Sequence, residues 1–367
     1  MVRRMRLPLL VLAVVVALLV LLRMALPHWV TNYLNARLAT MGSYHGQVAE
    51  VDLHLWRGAY TIHQLQVVKN TGKVPLPLLK APRTELAIRW ADLARGKVVA
   101  TIEFYDTELN FVDGRGEADG QSGKGVDWRA QLEKLMPVQI DEIQFIDGTL
   151  VFRNFVSDPP VDLRATQVNG YVRNLTNVED ANGERVAVFD AHAQMLGDAP
   201  AEAHAEFDPF NESRDFSLRL RILDFDVVDA NDFARAYAKL DFASGHGEFV
   251  TELDAKDGHL RGYAKPLFKD LKVFSWKQDV EQEKENPLRL AWEATAGLFT
   301  QLFKNHREDQ FATRIEISGD IGATETHPVE AILSILKNAF IKAYKPNFEH
   351  LEESKDKGVD DKADGSK

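Results

Sequence analysis

The side chains best suited to hold a metal are eleven histidines, and no cysteine accompanies them. Without cysteine, a disulfide scaffold, thiol catalysis, Cys-ligated zinc and iron–sulfur centres are excluded. No His-Glu-x-x-His occurs, and no two histidines stand four apart on a predicted helix. His54, His63, His192 and His204 fall on candidate strands and read as scattered, exposed imidazoles. A nucleophilic serine on a sharp turn would show Gly-x-Ser-x-Gly, which is absent. Carboxylates such as Asp224, Asp226 and Asp229 are plentiful, but a glycosidase pair must face across a cleft, and spacing alone does not supply that. They read as solvated acids. Asp113 to Gly125 holds five glycines and invites a phosphate-loop reading. That motif needs Gly-Lys followed by Ser or Thr; here Gly123-Lys124 precedes Gly125, and Ala118 stands where the first glycine belongs. Asn174-Leu-Thr176 and Asn211-Glu-Ser213 match a glycosylation sequon, a motif short enough to arise by chance. The residues point away from an enzyme, a metal centre or a cofactor.

Charge narrows the partners. The chain has 367 residues, with 44 Lys and Arg against 55 Asp and Glu, a net charge of −11. The first 26 residues carry four arginines and no acid, so the remainder is more acidic than the total suggests. Such a body is a poor coat for a phosphate backbone, and nucleic acid is not an expected partner.

The arginines Arg3, Arg4 and Arg6 precede a run without a polar residue from Leu7 to Leu22, and past Arg23 the apolar stretch reaches Leu26. A helix of about 20 residues spans ~30 Å, a bilayer core. Arg23-Met24-Ala25-Leu26-Pro27 makes a poor signal-peptidase site, so residues 1–26 are expected to stay as an anchor with the N-terminus cytoplasmic. The bulk would then lie across the inner membrane of a Gram-negative cell, in the periplasm. Pro27 is expected to end or bend the anchor, with a short helix over 31–40 inside a linker, 27–46.

From Gln47 the apolar period falls to two. Val51, Leu53 and Leu55 alternate with polar residues; Ile62, Leu65 and Val67 follow a turn at Arg57-Gly58; then come Leu86, Ile88 and Trp90. Short runs of this kind, bounded by Gly, Pro, Asn and Asp, continue to Trp276 and predict an antiparallel β domain over 47–276. It is interrupted by the flexible loop 113–125, a short helix over 128–135, a turn at Asp147-Gly148 and a helix over 232–240. The region 277–346 reads helix–strand–helix. Trp292, Phe299 and Phe303 share one amphipathic face, and Ile332, Leu336 and Phe340 another. These faces either cap the sheet or dock on a membrane or partner. Residues 347–367 are charged and read as a disordered tail.

The opening Gly46-x-x-x-x-Val51-x-Leu53-x-Leu55, with Leu65-x-Val67, Leu78-x-x-Ala81-Pro82 and Leu86-x-Ile88, resembles the start of the AsmA-like family of bacterial envelope proteins. Val138-x-Ile140-x-x-Ile143-x-Phe145-x-x-Gly148-x-Leu150-x-Phe152 is similar to a segment recurring there. Gly262-x-x-x-Pro266-Leu-Phe-x-x-Leu271 resembles the end of its smaller members. The likeness spans roughly residues 5 to 345 and carries no catalytic motif. It implies an elongated, curled antiparallel sheet forming a groove for lipid acyl chains, and a role in phospholipid transport or outer-membrane homeostasis. The bilayer, a bound lipid and an envelope protein at the end of the β domain far from the anchor are the implied partners.

That implication has a physical basis. Strict alternation gives each strand one apolar and one polar face, and a curled sheet can turn the apolar face inward, where acyl chains replace a protein core. Val51, Leu53, Leu55, Leu86, Ile88, Ile140, Ile143, Leu150 and Phe152 are the expected wall of such a groove. The alternative is a closed sandwich whose apolar faces pack on each other, serving as a non-enzymatic scaffold or assembly factor that binds proteins.

Overall fold

The computed structural model describes residues 2–88, 90, 94, 99–123, 126, 131, 139–175, 186–208, 215–238, 241–273, 310–312 and 314–321. The expected helices over 128–135, 288–303 and 329–344, with Trp292, Phe299, Phe303, Ile332, Leu336 and Phe340, and the charged tail lie essentially outside them.

Helix α1 runs Val2–Leu38 without interruption. It is long and apolar enough to cross a membrane, and none of its most apolar stretch is buried against the rest of the protein. An end or bend of the anchor is expected at Pro27, and the helix does not end there. Thr31 Oγ1 donates to the Pro27 carbonyl at 3.0 Å, and the next turns are held by packing: Val30, Leu34 and Leu38 join the first hydrophobic cluster. A proline removes one helical hydrogen bond, and burial of the following face offsets that loss.

The rest is mainly β and forms one large curved sheet. In chain order the strands are β1 Tyr44–Gln47, β2 Glu50–His54, β3 Ala59–Lys69, β4 Leu79–Ile88, β5 Val99–Tyr105, β6 Glu108–Val112, β7 Gln139–Asn154, β8 Val161–Arg173, β9 Ala187–Met195, β10 Ala199–Phe207, β11 Phe216–Asp226, β12 Phe242–Lys256, β13 His259–Val273, β14 Gln310–Ala312 and β15 Ile315–Asp320. From β7 to β13 each strand pairs with the next in sequence, as hairpins dictate. The sheet is not wholly antiparallel: β5 and β6 both run parallel to β7. They are two halves of one strand interrupted at Asp106, and β7 is long enough to serve both. A parallel neighbour needs a crossover of a dozen residues or more, and the segment between β6 and β7 supplies it.

That crossover begins with the glycine-rich run expected as a flexible loop. Its first half folds back on the sheet. Gln121 bridges Val112, the Gly123 amide donates to Tyr44 Oη at 3.1 Å, and buried Lys69 donates to the carbonyls of Glu117 and Gly120. Glycines let the backbone approach closely enough to turn its carbonyls on the ammonium.

The expected turn at Asp147-Gly148 is also absent. β7 passes straight through, with Asp147 at φ 54 and a register shift between Phe145 and Gly148. Similar left-handed residues interrupt neighbouring strands in two rows. Asp106, Asp147 and Gln167 cross β5/β6, β7 and β8; Asp224, Gly245 and Asp270 cross β11, β12 and β13. Each is a β-bulge or its equivalent, which bends a strand and increases its twist. Aligned across three strands, they give the sheet its curvature. Asp tolerates this backbone better than most residues, and Gly245, at φ 133, tolerates it without penalty.

Candidate functional site

The pairing registers assemble one apolar face across the later strands. From β8 to β13, Gly170 opposes Ala191, Ala191 opposes Ala203, Ala203 opposes Leu220, Leu220 opposes Thr251, and Thr251 opposes Ala264. The next row toward the β9–β10 turn is Ala193, Ala201, Ile222, Phe249 and Pro266. Small side chains dominate on β8 to β10, so the face is shallow there.

It is covered unevenly. Leu253, Ala255, Leu260, Ala264, Ile317 and Ile321 form a buried cluster at the β13–β15 end. In the middle, Ala191, Ala203 and Leu220 are only partly buried, and they belong to none of the three hydrophobic clusters.

The nine expected groove residues divide into six at the first cluster, Leu55 alone, and a pair on β7. Val51, Leu86 and Ile143 are core residues of the first cluster, and Leu53, Ile88 and Ile140 pack against it beside α1 and Val126. Leu55 leaves β2 to start the turn Leu55–Arg57. Leu150 and Phe152 lie beyond the Asp147 bulge, opposite Ala165 and Leu163 of β8; Leu150 is 38% exposed. The alternation therefore finds the apolar face, but most of the residues it selects build a packed core near the helix. The alanine rows of β9 and β10 are its missed part. Their signal is Ala199-Pro-Ala-Glu-Ala-His-Ala-Glu-Phe207, a strict alternation whose apolar member is too small to stand out in a search for large side chains.

A helical segment, 227–238, crosses this face. Val227 and Ala234 are buried in a second cluster with Ala199, Ala201, Ile222, Phe225 and Phe242. Asn231 clamps the far end: its amide donates to the Phe242 carbonyl at 2.9 Å and its carbonyl accepts from the Phe242 amide at 2.8 Å. The other end reaches β7, where Phe233 and Tyr237 lie 6.4 and 6.2 Å from the Phe152 ring. Tyr237 Oη donates to Asp113 at 2.6 Å and accepts from the Asn154 amide at 2.9 Å. Burial, reinforced by Asp113, pushes the Tyr237 hydroxyl pKa well up, so it stays a donor. The strap thus ties strands β7 and β12 together across the intervening four.

The opposite face is polar and laced with cross-strand pairs. Glu142 holds Arg173 at 3.1 Å, Arg173 lies 3.8 Å from the centroid of Tyr171, and Glu202 holds Arg221 at 2.6 Å. Asp190 accepts from His204 at 2.6 Å. That bond holds the Asp190 carboxyl below its usual range and raises the His204 imidazole. These contacts keep charge on the outside and in register, so the two faces of the sheet do not interchange. Among the described residues, no three His, Asp or Glu side chains converge on a point that could hold a metal.

No protein-family model matches the chain, and no curated protein matches its sequence.

Proposed function

We propose that the protein binds lipid acyl chains on the apolar face of its curled sheet and assists phospholipid movement or outer-membrane upkeep as a non-enzymatic, AsmA-like protein. In this reading α1 anchors it in the inner membrane of a Gram-negative cell and the sheet lies in the periplasm. One observation carries the reading: an apolar face continuous from β7 to β13 whose central row, Ala191, Ala203 and Leu220, remains partly open although both ends are packed. Burying such a surface against hydrocarbon is favourable at roughly 25 cal/mol per Å². The strap supports the apolar side being the inside of the curl, because it touches β7 and β12 at once. The small side chains of the central row on β8 to β10, Gly170, Ala191 and Ala203, leave the room an acyl chain needs.

Site-specific photocrosslinking in cells tests this. A benzophenone side chain at Leu220, on the apolar face, should capture phospholipid, while one at Arg221, on the polar face, should not. Protein adducts alone at Leu220 would replace the lipid reading with the scaffold reading.

A further inference from the structure

We propose that the hairpin tip between β2 and β3, together with Trp90, is a membrane-surface foot that inserts into the headgroup region of the bilayer spanned by α1. The inference rests on reading α1 as a membrane span.

Depth along the helix is the first argument. Asn35 of α1 exchanges two hydrogen bonds with the backbone of Val48, at 3.0 and 2.8 Å. From Asn35 back to Arg23, twelve helical residues descend ~18 Å. From Val48 through β2 to His54, six extended residues cover ~20 Å. The two paths meet again: Arg23, Leu26 and Pro27 line one cleft with Asp52, Leu53 and His54. The strand therefore runs down the helix, and its end reaches the level where the unbroken apolar run stops at Leu22. Residues 55–57 follow at that level.

The second argument is what the protein exposes there. Trp56, at the tip, is 85% exposed, and Trp90 is 54% exposed. Trp90 is held rather than loose. Trp90 Nε1 donates to the Arg57 carbonyl at 2.8 Å, and its ring sits over Gly58, where an added Cβ would stand 3.2 Å from it. On the adjoining turns of α1, Trp29 is 62% and Tyr33 41% exposed, with rings stacked at 5.6 Å. Leaving a tryptophan this bare in water forfeits a large apolar burial. Indole and phenol rings gather at membrane–water interfaces, where one edge is apolar and the other wet. Arg23 and Arg57 beside them suit lipid phosphates.

The consequence is orientation. With a helix and a foot both engaged, the sheet stands at a fixed angle on the membrane instead of swinging on a tether. The β2–β5 end is then held against the leaflet.

The chain's lack of cysteine makes the test direct. Trp56→Cys, Val15→Cys in the helix and Lys256→Cys at the β12–β13 turn are each labelled with an environment-sensitive fluorophore. The full chain is then reconstituted into phosphatidylethanolamine–phosphatidylglycerol vesicles. The label at 56 should shift to the blue, lose iodide quenching and be quenched by lipids carrying a nitroxide near the headgroup. The label at 15 should be quenched by nitroxides deep in the acyl chain, and the label at 256 by neither. A deep signal at 15 with an aqueous signal at 56 overturns the foot and leaves the anchor. An aqueous signal at both overturns the anchor and the foot with it. Shielding at 56 without lipid quenching means that protein, not lipid, covers the tip, and also overturns the proposal.

Discussion

The strands beside α1 and those in the middle of the sheet carry the same alternation and end in different states. Around β2 to β5 the apolar side chains are large and covered: Ile62, Leu86 and Ile102 are fully buried beneath the helix and the crossover. Around β8 to β10 they are mostly alanine and glycine, and what crosses them is a narrow strap that leaves Ala191 and Ala203 partly open. Period two dictates only that a face is apolar. Whether that face becomes a core or a binding surface depends on what lies across it and on side-chain volume. A core needs side chains long enough to meet a cover; a shallow face keeps its room.

The contrast breaks most visibly under charge. Leu86→Asp puts an unpaired carboxylate at a site with 0% exposure and should cost about 5 kcal/mol, most of the stability of an ordinary domain. Ala203→Asp, on the partly open face, should cost less than about 1 kcal/mol and abolish lipid crosslinking at Leu220. Urea unfolding of both variants measures the gap. Equal losses would mean that the middle rows are as closed as the core.

A milder change sharpens the same point from the other side. Thr84 sits between Ile62 and Phe104 of the first cluster, also at 0% exposure, and among the described residues its hydroxyl has no hydrogen-bond partner. Replacing it by the near-isosteric valine removes the cost of burying that group. Thr84→Val should raise stability by about 1 kcal/mol, seen as a higher urea midpoint at unchanged slope. A drop would show that the hydroxyl has found a partner and the core is wetter than its packing indicates.

Much of the architecture was legible in the sequence: the helix from its unbroken apolar run, and most strands from their alternation. The bulges were harder to read. At each of them the apolar parity slips: Ile62 to Leu65, Phe145 to Leu150, Ile222 to Phe225 and Phe268 to Leu271 are odd steps between residues that share a face. Asp147-Gly148 imitates a turn because the residues that favour a reversal also favour the left-handed backbone of a bulge. Gln64 and Gln167 carry no such mark. The parallel pairing of β5 and β6 with β7 is set by the tertiary path of the crossover, which local pattern does not encode. The open row escapes a search for large side chains because alanine is weakly apolar, and the strap's contacts join residues far apart in sequence: Tyr237 meets Asp113, just past β6, 124 residues away, and Asn154 of β7, 83 residues away.

The smallest effect tests the polar face of the same middle strands. Asp190 and His204 stand across β9 and β10 at 2.6 Å, each more than a third exposed, with Glu206 3.5 Å from the other imidazole nitrogen. Tyr171 also donates to Asp190. Folding raises His204 from its ordinary 6.5, chiefly through the bond to Asp190, and lowers Asp190 from 3.8. The raised imidazole adds stability that is complete below 6.5 and fades as pH climbs through its folded value. The lowered carboxyl adds stability that is complete above 3.8 and fades as pH falls through its folded value. The pair therefore contributes most between those limits and loses strength as pH rises through the folded value of the imidazole. Solvent screening keeps such a pair to about 0.5 kcal/mol. His204→Gln retains a donor but cannot titrate, so its deficit against the parent should be larger at pH 5.5 than at pH 8.5. Equal deficits at the two values would mean that the contact works as a neutral hydrogen bond, and that the outer face of these strands is held by geometry rather than by charge.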